Sequence, residues 1–118
     1  MILDSDIVII NQRICEHNNQ TSTVINPDNL LSAVGNIQWY DKIEHQAASL
    51  MRSLIIGHPF QDANKRTAVI ACAFICPPTC SDIDLENCAI NIATGKLKEV
   101  EDIANVLYPE LSHETKDI

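Results

Sequence analysis

Gly57-His58-Pro59-Phe60-Gln61-Asp62-Ala63-Asn64-Lys65-Arg66-Thr67-Ala68 is the stretch around which the 118-residue chain is organised. It lies between two apolar helical segments and sets a histidine, a carboxylate, an amide and two cations within nine residues. Gly57 predicts a helix stop, because glycine takes positive φ without a Cβ clash. Asn64 predicts the start of a second helix running to Ile75. The N-terminus of that helix exposes free N–H groups at the positive end of the dipole, an anion site. Lys65 and Arg66 oppose the dipole in its first turn, which makes sense if something more negative binds there, and phosphate is the natural candidate.

Working outward, apolar spacing predicts helices on both sides. Asp4 or Ser5 is placed to cap a first helix with Ile7, Ile10 and Ile14 on one face, fading in the polar run His17–Thr23. Pro27 restarts a short helix, with Leu30, Leu31 and Val34 inward and Gly35 as its end. Asn36–Tyr40 forms a connector, where Trp39 and Tyr40 are expected to cover the edge of the core. Asp41 and Glu44 have the spacing of a capping box for a long helix, with Ile43, Ala47, Leu50, Met51 and Leu54 as its inward stripe. The helix after the motif is apolar nearly all round and is expected to be the buried central post, ended by Pro77 and Pro78. Ser81 or Asp82 caps the next helix, with Leu85, Ala89, Ile90 and Ile92, to Gly95. A last helix, Glu99 to Leu107, carries Val100, Ile103, Ala104 and Leu107, and the tail Ser112–Ile118 is expected to fray. No stretch alternates with period two. The expected fold is all-α, one domain over 1–118, a compact bundle of about six helices around a central buried helix.

Composition bounds the function. Hydrophobic residues make up 46% of the chain, enough for a folded core. The net charge of −8 argues against a general nucleic-acid binder, which needs a basic face. The apolar run Ala68–Ile75 is too short to span a membrane, and the N-terminus lacks the basic region of a signal peptide. Five cysteines without a secretion signal read as reduced thiols in a cytoplasm. Cys72, Cys76, Cys80 and Cys88 invite a metal reading, but their spacing is not Cys-x₂-Cys, and small buried hydrophobes explain them better. His17, His45 and His113 have no partners at ligand spacing.

His58 sits in a polar loop, and an imidazole suits a general base at neutral pH. Asp62 is one carboxylate beside a phosphate site, the usual provision for Mg²⁺, and is otherwise a helix cap. Ala63, Asn64, Lys65 and Arg66 offer successive N–H groups, a rigid guanidinium fork and a point charge to phosphate oxygens, while Asn64 either braces the loop or touches phosphate. Phe60 reads as a structural anchor pointing into the core. Gln61 receives no role.

The segment from His58 to Arg66 resembles the signature of the Fic/Doc superfamily, His-x-Phe-x-(Asp/Glu)-(Gly/Ala)-Asn-(Gly/Lys)-Arg. Its Ala63-Asn64-Lys65-Arg66-Thr67-Ala68 wording resembles the Doc (death-on-curing) branch more than the Fic branch. The resemblance extends less sharply into Ala93-Thr94-Gly95 and the closing helix to Tyr108, about the last two thirds of the chain; the first thirty residues carry no recognisable motif. It implies a Fic fold and ATP as co-substrate with Mg²⁺ held by Asp62. It also implies that His58 acts as base toward a Ser, Thr or Tyr hydroxyl of a protein target. In Fic proteins the region before the long helix is a flap that docks the target segment by strand addition, here Asn36–Tyr40. The Doc branch implies a toxin that acts on a translation elongation GTPase and is silenced by an antitoxin. Two departures from the Fic branch stand out: Ala63 and Lys65 replace glycines beside the motif asparagine, and Val69 replaces a second arginine. No Ser/Thr-x-x-x-Glu-(Gly/Asn) inhibitory motif is present. Phosphate transfer in the manner of Doc, AMP transfer in the manner of Fic, and an idle nucleotide- or partner-binding module are the three readings these features leave.

Overall fold

A computed structural model describes residues 1–111, so the tail Ser112–Ile118, His113 included, lies outside the described residues. Among them the chain forms six α-helices and a 3₁₀ turn, with no strand beyond an isolated antiparallel bridge between Val24 and Phe60. The helices are α1 (Asp4–His17), α2 (Pro27–Gly35), α3 (Ile43–Gly57), α4 (Asn64–Ile75), α5 (Asp82–Ala93) and α6 (Val100–Leu107), with the 3₁₀ turn at Asn36–Trp39. The fold is all-α, a compact helical bundle of the Fic type.

The bundle is built around α3, which packs against α2, the 3₁₀ turn, α4, α5 and α6. Ala47, Ala48, Leu50, Met51 and Leu54 form its buried face, and small alanines let the neighbouring helices approach closely. The expectation that α4 would be the central post is thereby corrected. α4 packs on α3 and α1 and buries Thr67, Ala68, Ala71 and Cys72, whereas Ile70 is exposed and Phe74 is 72% exposed. An all-apolar sequence says that a helix can be buried on every side; only the number of neighbours decides whether it is.

Smaller differences accompany this one. Leu31, Ile43 and Ile90, expected to face inward, are exposed. Trp39 is 75% exposed rather than covering the core edge, while Tyr40 sets its ring edge-on to His45. Asp41 and Glu44 form no capping box: Lys42 occupies the N-cap of α3 and no side chain caps it. Leu3, not Asp4 or Ser5, is the N-cap of α1, and Asp6 reaches back to accept from its N–H at 2.8 Å. Ser81 does cap α5, its hydroxyl accepting from the N–H of Asp84 at 3.1 Å. Gly95 follows α5 with φ 78°, a left-handed stop that glycine adopts at no steric cost.

The region linking α4, α5 and α6 is tied by Tyr108. Its buried hydroxyl donates to the Cys76 carbonyl at 2.6 Å and lies 3.8 Å from the Cys72 sulfur. Burial pushes the Cys72 thiol up to about 12 and that of Cys88 to about 11, so both are neutral at physiological pH. Among the described residues no helix is long and apolar enough to cross a membrane.

Candidate functional site

The chain leaves α3 through His58, which adopts left-handed backbone angles of φ 49° and ψ 56°. Gly57 was the expected stop, yet it is the last helical residue and the left-handed position falls one residue later. Pro59 and Phe60 then run beside Thr23–Asn26, with Ile25 N–H donating to the Pro59 carbonyl at 2.8 Å and Gln61 N–H to the Thr23 carbonyl at 2.9 Å. A second left-handed residue, Ala63 at φ 64°, is the N-cap of α4. Its carbonyl accepts from Thr67 N–H at 2.9 Å, so the N–H groups of Asn64, Lys65 and Arg66 remain at the helix start without a helical acceptor.

Phe60 is buried in the core and anchors the loop. Asn64, also buried, spends its amide on the same residue: its oxygen accepts from Phe60 N–H at 3.0 Å and its Nδ2 donates to the Phe60 carbonyl at 2.8 Å. Of the two roles open to Asn64, its side chain is engaged in the bracing one. His58, Asp62, Ala63, Asn64, Lys65 and Arg66 line one pocket of about 600 Å³, together with Gln20, Ile55, Ile56, Gln61 and Ala93. Seven of the nine motif residues thus line this pocket. Among the described residues the side chains of His58, Lys65 and Arg66 make no hydrogen bond or ion pair, which leaves them available to a ligand.

Asp62 does not cap α4. One carboxylate oxygen accepts from Thr21 N–H at 3.0 Å, which orients the group, and the residue lines the pocket. Among the described residues no three His, Cys, Asp or Glu side chains gather to hold a metal by themselves. A single oriented carboxylate nevertheless fits Mg²⁺, which commonly takes one or two protein carboxylates and fills the rest with phosphate oxygens and water.

A larger cavity, about 940 Å³, opens on the far side of Lys65 and Arg66 between α1, α4 and α5. Val69, where the Fic branch carries an arginine, lines this groove and not the motif pocket.

The first thirty residues, which carry no motif, supply much of the support. Asn11 is fully buried on the face of α1 that also carries Ile7 and Ile14. Its Nδ2 donates to the Asp62 carbonyl at 2.9 Å and to the Thr67 hydroxyl at 3.1 Å, and its oxygen accepts from the Ser22 hydroxyl at 2.7 Å. The Cys15 sulfur donates to that oxygen at 3.6 Å, and burial, with the nearby Asp62 carboxylate, raises the Cys15 thiol. The signal for Asn11 was one amide inside an apolar stripe. Extended chain beside the motif comes from residues 21–26, whereas the region expected as a flap, Asn36–Tyr40, is the 3₁₀ turn and its exit.

The sequence model described as the Fic/DOC family matches residues 5–76. The chain belongs to the Fic/DOC family. The match begins in α1 and ends just past α4, so the supporting residues Asn11, Thr21 and Ser22 lie within the family region, while α5 and α6, with Ala93-Thr94-Gly95 at the end of α5, lie outside it. A comparison with curated proteins returns no match. Members of the Fic/DOC family transfer nucleotide-derived groups to proteins, and the matched region holds a Fic-type enzymatic domain.

Proposed function

We propose that this Fic/DOC protein is a Doc-like phosphotransferase that moves the γ-phosphate of ATP to a hydroxyl of a protein target. The observation that carries this reading is the single pocket onto which His58, Asp62, Lys65, Arg66 and the open N-terminus of α4 converge. His58 takes the proton of a Ser, Thr or Tyr hydroxyl as its oxygen forms a bond to the γ-phosphorus. The bond from that phosphorus to the bridging oxygen breaks, and ADP leaves with the electron pair. Arg66 and the N–H groups of residues 64–66 hold phosphate oxygens, and Lys65 adds a compact charge at the mouth. Mg²⁺, held by Asp62, supplies charge neutralisation on the phosphates when bound. Phosphoryl transfer asks little covalent chemistry of a protein beyond such positioning.

Phosphate rather than AMP is favoured by Lys65 and Val69. An adenylyl donor with its α-phosphate at the base needs room after the motif asparagine and a deeper cation for the other phosphates. Lys65 fills the first position, and Val69 belongs to the neighbouring groove. A reversed nucleotide presents its γ-phosphate to the held hydroxyl without either feature. A translation elongation GTPase is the proposed target and a cytoplasm the proposed setting. A separate antitoxin is the proposed restraint.

The test is incubation with Mg²⁺, lysate and ATP labelled at either the α- or the γ-phosphate, followed by mass spectrometry of the modified protein. The expected result is γ-label and the mass of a phosphate. α-Label and the mass of an adenylate would replace this reading by Fic-type AMP transfer, and no modification by an idle binding module.

A further inference from the structure

Asn26 occupies the N-cap of α2, where an asparagine side chain ordinarily accepts from an N–H in the first turn of its own helix. It makes no such bond. Its Nδ2 donates instead to the carbonyl of His58 at 2.8 Å, and its backbone N–H donates to the carbonyl of Pro59 at 3.1 Å. One turn on, Asn29 Nδ2 donates to the carbonyl of Gly57 at 2.6 Å. Three consecutive carbonyls, one on each side of His58 and its own, are thus gripped from the start of α2. Gly57 makes room for the grip: a Cβ there would lie 3.3 Å from Asn29 Cβ.

Between these contacts His58 holds a left-handed conformation that a residue with a Cβ adopts only rarely. Among the described residues the imidazole has no hydrogen-bond partner. In many active sites a carboxylate or carbonyl orients the catalytic histidine through its second nitrogen. The backbone angles at its Cα fix where the Cβ of His58 points, and the three gripped carbonyls bear on those angles. We infer that Asn26 and Asn29 are positioning residues for His58, acting through its backbone instead of its ring. This inference rests on the reading of His58 as the base.

Asn26→Asp is the informative variant. It keeps the shape, removes the donor to the His58 carbonyl, and leaves a side chain that is itself a good N-cap for α2. The expected result is thermal stability and ATP affinity close to wild type, with turnover lowered about 10–100-fold, the scale of a small misplacement of a reacting group. Asn29→Asp should act in the same direction. In a His58→Ala background, Asn26→Asp should lower the residual transfer no further. NMR signals of the His58 ring should shift or broaden in Asn26→Asp alone. Wild-type turnover in both aspartate variants, or an equal further loss in the His58→Ala background, would overturn the inference. If His58→Ala transfers at the wild-type rate, the base reading fails on its own; the grip is then decided by the ring signals, and unchanged signals in Asn26→Asp would refute it.

Discussion

Replacing Asn64 by alanine separates bracing from phosphate binding in a single experiment. The Asn64 amide is 6% exposed, and both its hydrogen bonds go to the backbone of Phe60, which is 1% exposed. Truncation therefore strands one buried N–H and one buried carbonyl. Each unsatisfied buried group costs about 1–3 kcal/mol, and water entering from the adjacent pocket relieves part of it, so the expected loss is about 2–4 kcal/mol. For a chain of this size each kcal/mol lowers Tm by about 4 °C, giving a fall of roughly 8–16 °C. That is a large share of the ~5–15 kcal/mol that holds a typical domain folded. Thermal unfolding followed by circular dichroism measures it directly, with nucleotide affinity measured at a temperature where both proteins are folded. A variant within about 2 °C of wild type but with abolished ATP binding would refute the reasoning and make Asn64 a phosphate ligand.

His58→Ala is expected to leave fold and ATP binding intact while transfer drops roughly 10²–10⁴-fold, read as incorporated label over time. Arg66→Ala should weaken ATP binding by about 1.5–3 kcal/mol, the scale of a charge-assisted hydrogen bond, and Arg66→Lys should restore little of it because a point charge does not replace a fork; calorimetric titration with ATP measures both. The buried thiols predict a loss of stability in alkali. The Cys72 and Cys88 thiols titrate near 9 when exposed and at about 12 and 11 in the fold. The unfolded chain therefore releases those protons first, and the stability they contribute, present below pH 9, is lost as pH rises toward 12. Tm measured from pH 8 to 11 should fall, and Cys72→Ala should flatten the slope.

What the sequence determined by itself was whatever depends on neighbours along the chain. His58, Asp62, Lys65 and Arg66 share one pocket because a six-residue loop and the first turn of the next helix cannot spread far. Helix periods and the stops at Pro77, Pro78 and Gly95 were legible for the same reason, as was the capping hydroxyl of Ser81. Tertiary structure decided everything that depends on which surface meets which. It made α3 the centre instead of the more uniformly apolar α4, and left Ile43, Leu31, Ile90 and Trp39 in solvent, because a periodic stripe records a buried face without recording its cover. It left Asp41 without a capping role and turned the Asn26 side chain away from its own helix toward a carbonyl 32 residues distant. It moved the left-handed turn from Gly57 to His58, since glycine's freedom permits that conformation while the contacts of Asn26 and Asn29 impose it on the next residue. The bonds from Asn26 and Asn29 to the motif loop, and from Asn11 to Asp62 and Thr67, join residues 28 to 56 positions apart, so this part of the scaffold becomes visible only when the chain is folded.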